Sequence, residues 1–311
     1  MRRRNGNFVK NIGIGVIILI FLLSLTLQTQ QPRTETPINP NKEDPYPQFD
    51  MLEFSNYSWY VRRRLDRRLG PGPNFFSDAA ESVWLDENGH LHLKIRHNGT
   101  DWLCAEVFTE ESFGHGTYQF ELAPGFEYLD VNTVVGLFTY LDDENEIDIE
   151  YARWGHENAP NGQFVVQPYA TEENLHSYQF PEQNKTTLHQ FTWCEEYVHF
   201  QAGIGTIEDG FSEIMAEYIY TGEDNPPEAT ERVHLNFWLM SGLAPEDNQS
   251  AEIVIQNFNF EPDPCDPTLV PDFPTNGFEI SGYHPVWLVI PALIGVTMVI
   301  LKKKYWITRS A

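Results

Sequence analysis

Between residues 83 and 260 apolar and polar positions alternate in short runs. His90-Leu91-His92-Leu93-Lys94-Ile95 puts every second side chain on an apolar face, the period-two pattern of a half-buried strand. Val83-Trp84-Leu85 precedes it across Asp86-Glu87-Asn88-Gly89, a turn sequence, so the two runs predict a hairpin. Further strands are predicted over 103–108, 117–122, 133–140, 146–151, 163–169, 188–193, 197–201, 233–240 and 251–260. Turn residues separate them at intervals of roughly ten residues, which predicts an all-β sandwich or barrel. Only 211–220 reads as a helix candidate.

The pattern changes at both ends. Residues 1–28 carry a basic head, Met1-Arg2-Arg3-Arg4 through Lys10, and then an apolar run from Ile12 to Leu27. That is the layout of a signal peptide or an uncleaved N-terminal anchor. Residues 29–47 are rich in Pro, Gln, Asn and Thr and read as a linker, and 263–284 form a second, Pro-rich one. Residues 285–301 are apolar, stop at Lys302-Lys303-Lys304, and have Tyr283, Trp287, Tyr305 and Trp306 as interfacial aromatics, the signature of a transmembrane helix. Residues 302–311 are then a basic cytoplasmic tail, and 48–262 an extracytoplasmic domain at the cell membrane. Sequons at Asn56, Asn98, Asn184 and Asn248 suit an exposed surface. Cys104, Cys194 and Cys265 fix no disulfide framework. A Cys104–Cys194 bridge and buried free thiols are both open.

Composition narrows the partners. The chain has 311 residues, with 45 acids against 20 lysines and arginines, a net charge of −25. That argues against a nucleic-acid partner, which needs a positive face. The aromatic content of 14% sets it apart from disordered acidic chains.

One strand carries chemistry. Glu146-Ile147-Asp148-Ile149-Glu150 alternates acid and isoleucine, so both isoleucines enter a core and three carboxylates stand in a row on the opposite face. Residues two apart on one face are roughly 7 Å apart, close enough for each acid to raise the pKa of the next. A solvated polar face is one reading and a paired-carboxylate glycosidase site the other. Retaining hydrolysis needs two carboxyl groups about 5–5.5 Å apart; on a curved strand Glu146 and Glu150 can approach that separation, with Asp148 staggering their ionisation. Other constellations fail. Asp142-Asp143-Glu144-Asn145-Glu146 has Ile147 where a calcium loop of the EF-hand type needs glycine. His90 and His92 share a face without a third ligand nearby. Gly203-x-Gly205 has no Rossmann context, and no Gly-x-Ser-x-Gly elbow occurs.

Glu146-Ile147-Asp148-Ile149-Glu150-Tyr151 resembles the Glu-x-Asp-x-Glu strand of glycoside hydrolase family 16. So, in order, do the segments at Ser112–Tyr118, Thr133–Phe138, His189–Trp193 with Val198–Phe200, and His234–Trp238. The resemblance covers about residues 50–262. It implies a jelly-roll β-sandwich with a cleft on its concave face, flanked here by terminal membrane-associated segments. It also implies hydrolysis of β-glycosidic bonds with retention, with Glu146 as nucleophile, Asp148 as its partner and Glu150 as acid/base. His115, Ala202-Gly203, Asn145 and Trp154 depart from the family pattern and bear on the substrate. The strand lacks the extra residue of many laminarinases, which favours relatives of the mixed-linkage glucanases.

Aromatic rings stack on pyranose faces and amides bind hydroxyls, so Trp154, Trp238, Tyr169, Gln167, Asn236 and Asn74 are the substrate-binding candidates; His189 is read as structural. The expected activity is that of a membrane-tethered endo-β-glycanase acting on a β-glucan or galactan. A carbohydrate-binding or adhesion module, or a transglycosylase using the same site, are the alternatives. The chemistry requires no cofactor. A structural calcium ion is compatible with the fold, without a site that the sequence locates.

Overall fold

The computed structural model describes residues 46–269 except 47, 182–183 and 263–264. Most of both linkers, and all of 1–28, 285–301 and 302–311, lie outside the described residues. Among the described residues no helix is long and apolar enough to cross a membrane.

Seventeen strands and four short 3-10 turns form among these residues. In chain order the strands are β1 (Asp50–Phe54), β2 (Tyr57–Val61), β3 (Arg64–Leu69), β4 (Asn74–Phe76), β5 (Val83–Leu85), β6 (Leu91–His97), β7 (Trp102–Thr109) and β8 (Gly116–Leu122). There follow β9 (Thr133–Asp142), β10 (Asn145–Ala152), β11 (Gly162–Val166), β12 (Leu175–Tyr178), β13 (Thr187–Trp193), β14 (Val198–Thr206), β15 (Gly210–Tyr220), β16 (Arg232–Leu239) and β17 (Ala251–Pro262). The pairings run in two series. One is β1-β2-β7-β16-β9-β10-β11-β12. The other is β5-β6-β17-β8-β13-β14-β15. All of these ladders are antiparallel, while β4 joins β7 in parallel and β6 meets β7 where the two series connect. The all-β class that the alternation predicts is thus observed, and of the two forms left open, sandwich and barrel, the arrangement fits a sandwich.

The segment expected to be helical is a strand. β15 pairs with β14 from Gly210 to Tyr220, and its aromatic and β-branched residues suit a pleated surface. The cysteine expectation is also corrected. Cys194 bonds Cys265, with Cα atoms 6.0 Å apart, and Cys104 is a free, fully buried thiol on β7.

The core lies between the two series and fixes which way β10 faces. Ile147 and Ile149 are fully buried there with Val135, Leu137, Leu235 and Val107. A slip of one residue would bury the acids in their place. His189 fastens β10 from the other series: its Nδ1 is 2.7 Å from the Tyr151 hydroxyl and its Nε2 2.8 Å from Thr187 Oγ1. Burial pushes its pKa down to about 3, so the ring is a neutral spacer, in keeping with its structural reading.

Candidate active site

The hairpin β9–β10 sets the row. Asp142 Oδ1 accepts from the backbone nitrogens of Glu144 (3.1 Å) and Asn145 (3.0 Å) and from the Asn145 side chain (2.7 Å), an Asx-type turn. Glu144 falls in that exposed turn, outside β10. From Glu146 onward the register is regular, and Glu146, Asp148 and Glu150 all line one cleft of about 780 Å³.

Register extends each acid into a line across the face. Glu150 lies opposite Gly136, Gly136 opposite Asn236, and Asn236 opposite Glu106. Asp148 leads to Phe138, His234 and Phe108, and Glu146 to Tyr140 and Arg232. His234 is stacked between Phe108 and Phe138, with ring centroids 5.1 and 5.0 Å away. A Cβ at Gly136 would come within 2.5 Å of Asn236 Oδ1, so any larger residue there would displace that amide.

All three carboxyls hold protons more tightly than ordinary acids. Burial pushes Glu146 up to about 8, opposed by its hydrogen bond with Asp148 and reinforced by the charges of Glu150, Asp143 and Glu106. Asp148 is raised well above the carboxylate range by burial, then by Glu146 and Glu150, with Gln167 acting the other way. Asp148 therefore keeps its proton and donates it in a hydrogen bond to Glu146, which favours the ionised form of that neighbour. Burial raises Glu150 to about 7 against the pull of Gln163. Gln163 Nε2 donates to Glu150 Oε2 at 2.7 Å, and Trp154 Nε1 donates to Gln163 Oε1 at 3.1 Å. Trp154 adopts φ of 51°, a left-handed conformation uncommon for so bulky a residue. It turns the chain sharply as it leaves β10 and brings the indole to Gln163.

The substrate-binding candidates divide. Asn236 and Trp238 line the cleft, and Asn236 Oδ1 is buried with no hydrogen-bond partner among the described residues. Trp154 packs edge-on against Trp238 at 6.1 Å and serves Gln163 instead of lining the cleft. Gln167 reaches Asp148 at 3.5 Å and accepts from the backbone of Tyr169 at 2.9 Å. Tyr169 stands 67% exposed beyond the lining. Asn74 is corrected: it is buried, and its amide is occupied by the carbonyls of Pro71 (2.9 Å) and Leu239 (2.8 Å), so it has no face for a sugar.

Sequence reasoning missed Glu106, Arg62, His234 and Gln163. Glu106 is buried on β7, ion-paired with Arg62 at 2.5 Å and 3.0 Å from His234 Nδ1. Burial works against its charge, but Arg62 and His234 outweigh that and hold the carboxyl below its usual pKa. The signal was an acid in the middle of the apolar run 103–108. Nothing in the sequence marked Gln163. Among the described residues no group of three or more His, Cys, Asp or Glu is arranged to hold a metal ion; His92 pairs instead with Glu252 at 2.8 Å.

The protein is an all-β sandwich with carboxyl groups lining its cleft, and solved structures share its fold. A β-glucanase from Bacillus licheniformis matches with 16% identity over 68% of this chain and 97% of that one, at a TM-score of 0.51. A glycoside hydrolase family protein from Mycobacterium thermorestibile matches with 16% identity over 68% of this chain and all of that one, at 0.51. A native glycosidic hydrolase matches with 19% identity over 70% and 97%, at 0.50. No family model matches the chain, and no curated protein matches it in sequence. At these identities the likeness is one of fold, and the fold is the one implied by the resemblance to glycoside hydrolase family 16.

Proposed function

We propose that the protein is a retaining endo-β-glycanase, tethered to a membrane with its β-sandwich on the extracytoplasmic side. The observation that carries this reading is the row Glu146, Asp148, Glu150, three carboxyls with raised pKa on one wall of a large cleft. Such a row destabilises a fold and suits two-carboxylate catalysis.

The reactive form has Glu146 ionised, the state that the Asp148 hydrogen bond favours against burial, and Glu150 protonated: Glu146 attacks the anomeric carbon while Glu150 gives its proton to the departing glycosidic oxygen. Water then donates a proton to Glu150 and displaces Glu146, restoring both groups and the original configuration. An acid/base residue works best with a pKa near the working pH, and Glu150 at about 7 meets that requirement. Asn236 and Trp238 line the cleft and are the amide and the aromatic ring there that a glycan would meet. The β-glucanase among the structural matches supports a β-linked glycan as substrate. The Cys194–Cys265 bond supports an oxidising compartment, and the apolar segments at 1–28 and 285–301 support the tether.

The test is hydrolysis of laminarin, lichenan, xyloglucan, agarose and carrageenan by the full chain, beside Glu146→Gln and Glu150→Gln. Reducing ends released by the wild type alone support the reading. Equal behaviour of all three proteins on every glycan overturns it and leaves a carbohydrate-binding module.

A further inference from the structure

The geometry points to a polysaccharide bearing anionic groups, sulfate or carboxylate, as the occupant of this cleft, with Arg64 and Arg232 recognising those groups. The inference rests on the glycanase reading. It starts from the distribution of positive charge in a chain of net charge −25. Of the ten lysines and arginines between residues 46 and 269, five fall within seven positions: Arg62, Arg63, Arg64, Arg67 and Arg68. Arg62 and Arg64 from this cluster line the cleft, and so does Arg232 from β16. Three of the scarce cations of an acidic domain thus line its cleft.

They are not there to steady the catalytic row. The groups that act on Glu146, Asp148 and Glu150 are other carboxyls, glutamines and burial, with no arginine among them. Arg62 is committed elsewhere, to Glu106 at 2.5 Å and to the Gly70 carbonyl at 2.8 Å. Arg64 and Arg232 are different. The carboxylate near Arg64 is Asp66, 4.0 Å away with a side chain 70% exposed, a pairing that neutralises little. Arg232 donates to the carbonyls of Thr109 (2.7 Å) and Glu110 (2.5 Å), and its guanidinium lies 5.3 Å from the Tyr46 ring centroid. Carbonyls and a ring face aim a guanidinium without cancelling its charge.

A neutral glycan laid over these residues would strip water from two charged groups and return only weak hydrogen bonds, an unfavourable exchange. A sulfate or carboxylate returns charge-assisted, bidentate bonds. Arg232 also sits on the register line of Glu146, with Tyr140 between them. Two strand spacings are about 10 Å, so Arg232 reads a substituent on a sugar flanking the one attacked.

The experiment pairs each anionic polysaccharide with its own neutral backbone: a sulfated galactan with its desulfated form, and a uronic-acid glycan with its carboxyl-reduced form. The full chain, Arg64→Gln, Arg232→Gln and the distant control Lys94→Gln are compared by kcat/KM, and binding is measured by calorimetry on a Glu150→Gln background. We expect the wild type to prefer one anionic form at least roughly tenfold, the scale of one charge-assisted bond. Arg232→Gln or Arg64→Gln should erase most of that ratio through KM, Lys94→Gln should keep it, and added salt should weaken it. The preferred pair tells sulfate from carboxylate. Hydrolysis with equal kcat/KM on charged and neutral forms overturns this inference alone, as does a preference that survives both arginine substitutions. Arginine-dependent binding without hydrolysis overturns the glycanase reading and upholds this one. Binding of no glycan overturns both.

Discussion

Gln163 Nε2 donates to Glu150 Oε2 at 2.7 Å. The contact lowers the affinity of Glu150 for its proton, against burial, which raises it to about 7. Gln163→Met removes the donor, so the basic limb of the pH profile of kcat/KM should move upward and kcat should fall about 10- to 100-fold. A pH–rate profile checks this. A loss of rate with an unmoved limb would show that Gln163 only packs.

The raised carboxyls make the site a thermodynamic burden. A carboxyl whose folded pKa exceeds its unfolded value binds its proton more tightly in the native state. Stability from Glu146 is therefore fullest below its ordinary value of 4.5 and declines as pH rises towards about 8. Glu146→Gln should abolish turnover yet stabilise the protein by about 1–3 kcal/mol near pH 9, with no gain near pH 4. Urea denaturation at the two pH values measures it.

Glu106 obeys the opposite sign. Arg62 and His234 hold its carboxyl below the usual value, so its stabilisation is present above the unfolded pKa and is lost as pH falls through the folded one. Arg62→Met strands a buried charge and should lose about 3–5 kcal/mol at neutral pH. Adding Glu106→Gln should recover much of that loss, which a double-mutant cycle in urea would read directly.

Attack by Glu146 on the face opposite the leaving group, followed by attack of water on the face that group left, inverts the anomeric centre twice and predicts net retention. Proton NMR of the first product, before mutarotation, should show the β anomer. An α product would assign Glu146 to activating water instead.

The Cys194–Cys265 bond closes a separation of 71 residues. Replacing both cysteines with serine should lower stability by about 2–4 kcal/mol, and a reducing agent should have the same effect on the wild type alone. Calorimetric Tm values with and without reductant test this.

Much of the architecture was legible because its signals are local. The hairpin of β5 and β6 follows from alternation and a turn, with Asp86 Oδ1 accepting from Asn88 and His90 as such a turn requires. The hydrophobic alternation in Glu146–Glu150 fixed which side chains face the core. What misled was helix propensity at 211–220, overruled by a ladder with β14 that no local window contains. Cysteine counting failed likewise, because the bonded pair joins segments distant in sequence.

By itself, then, the sequence determined an all-β chain of sandwich or barrel type and a row of three acids on one face of one strand, since both are consequences of period-two patterning. Only the tertiary structure decided what each acid experiences. Burial sets the protons of Glu146, Asp148 and Glu150, and Gln163, Trp154, Glu106 and Arg232 reach the site from other strands or loops. Desolvation and cross-strand register depend on elements far apart along the chain, and they turn a polar strand face into a candidate catalytic one.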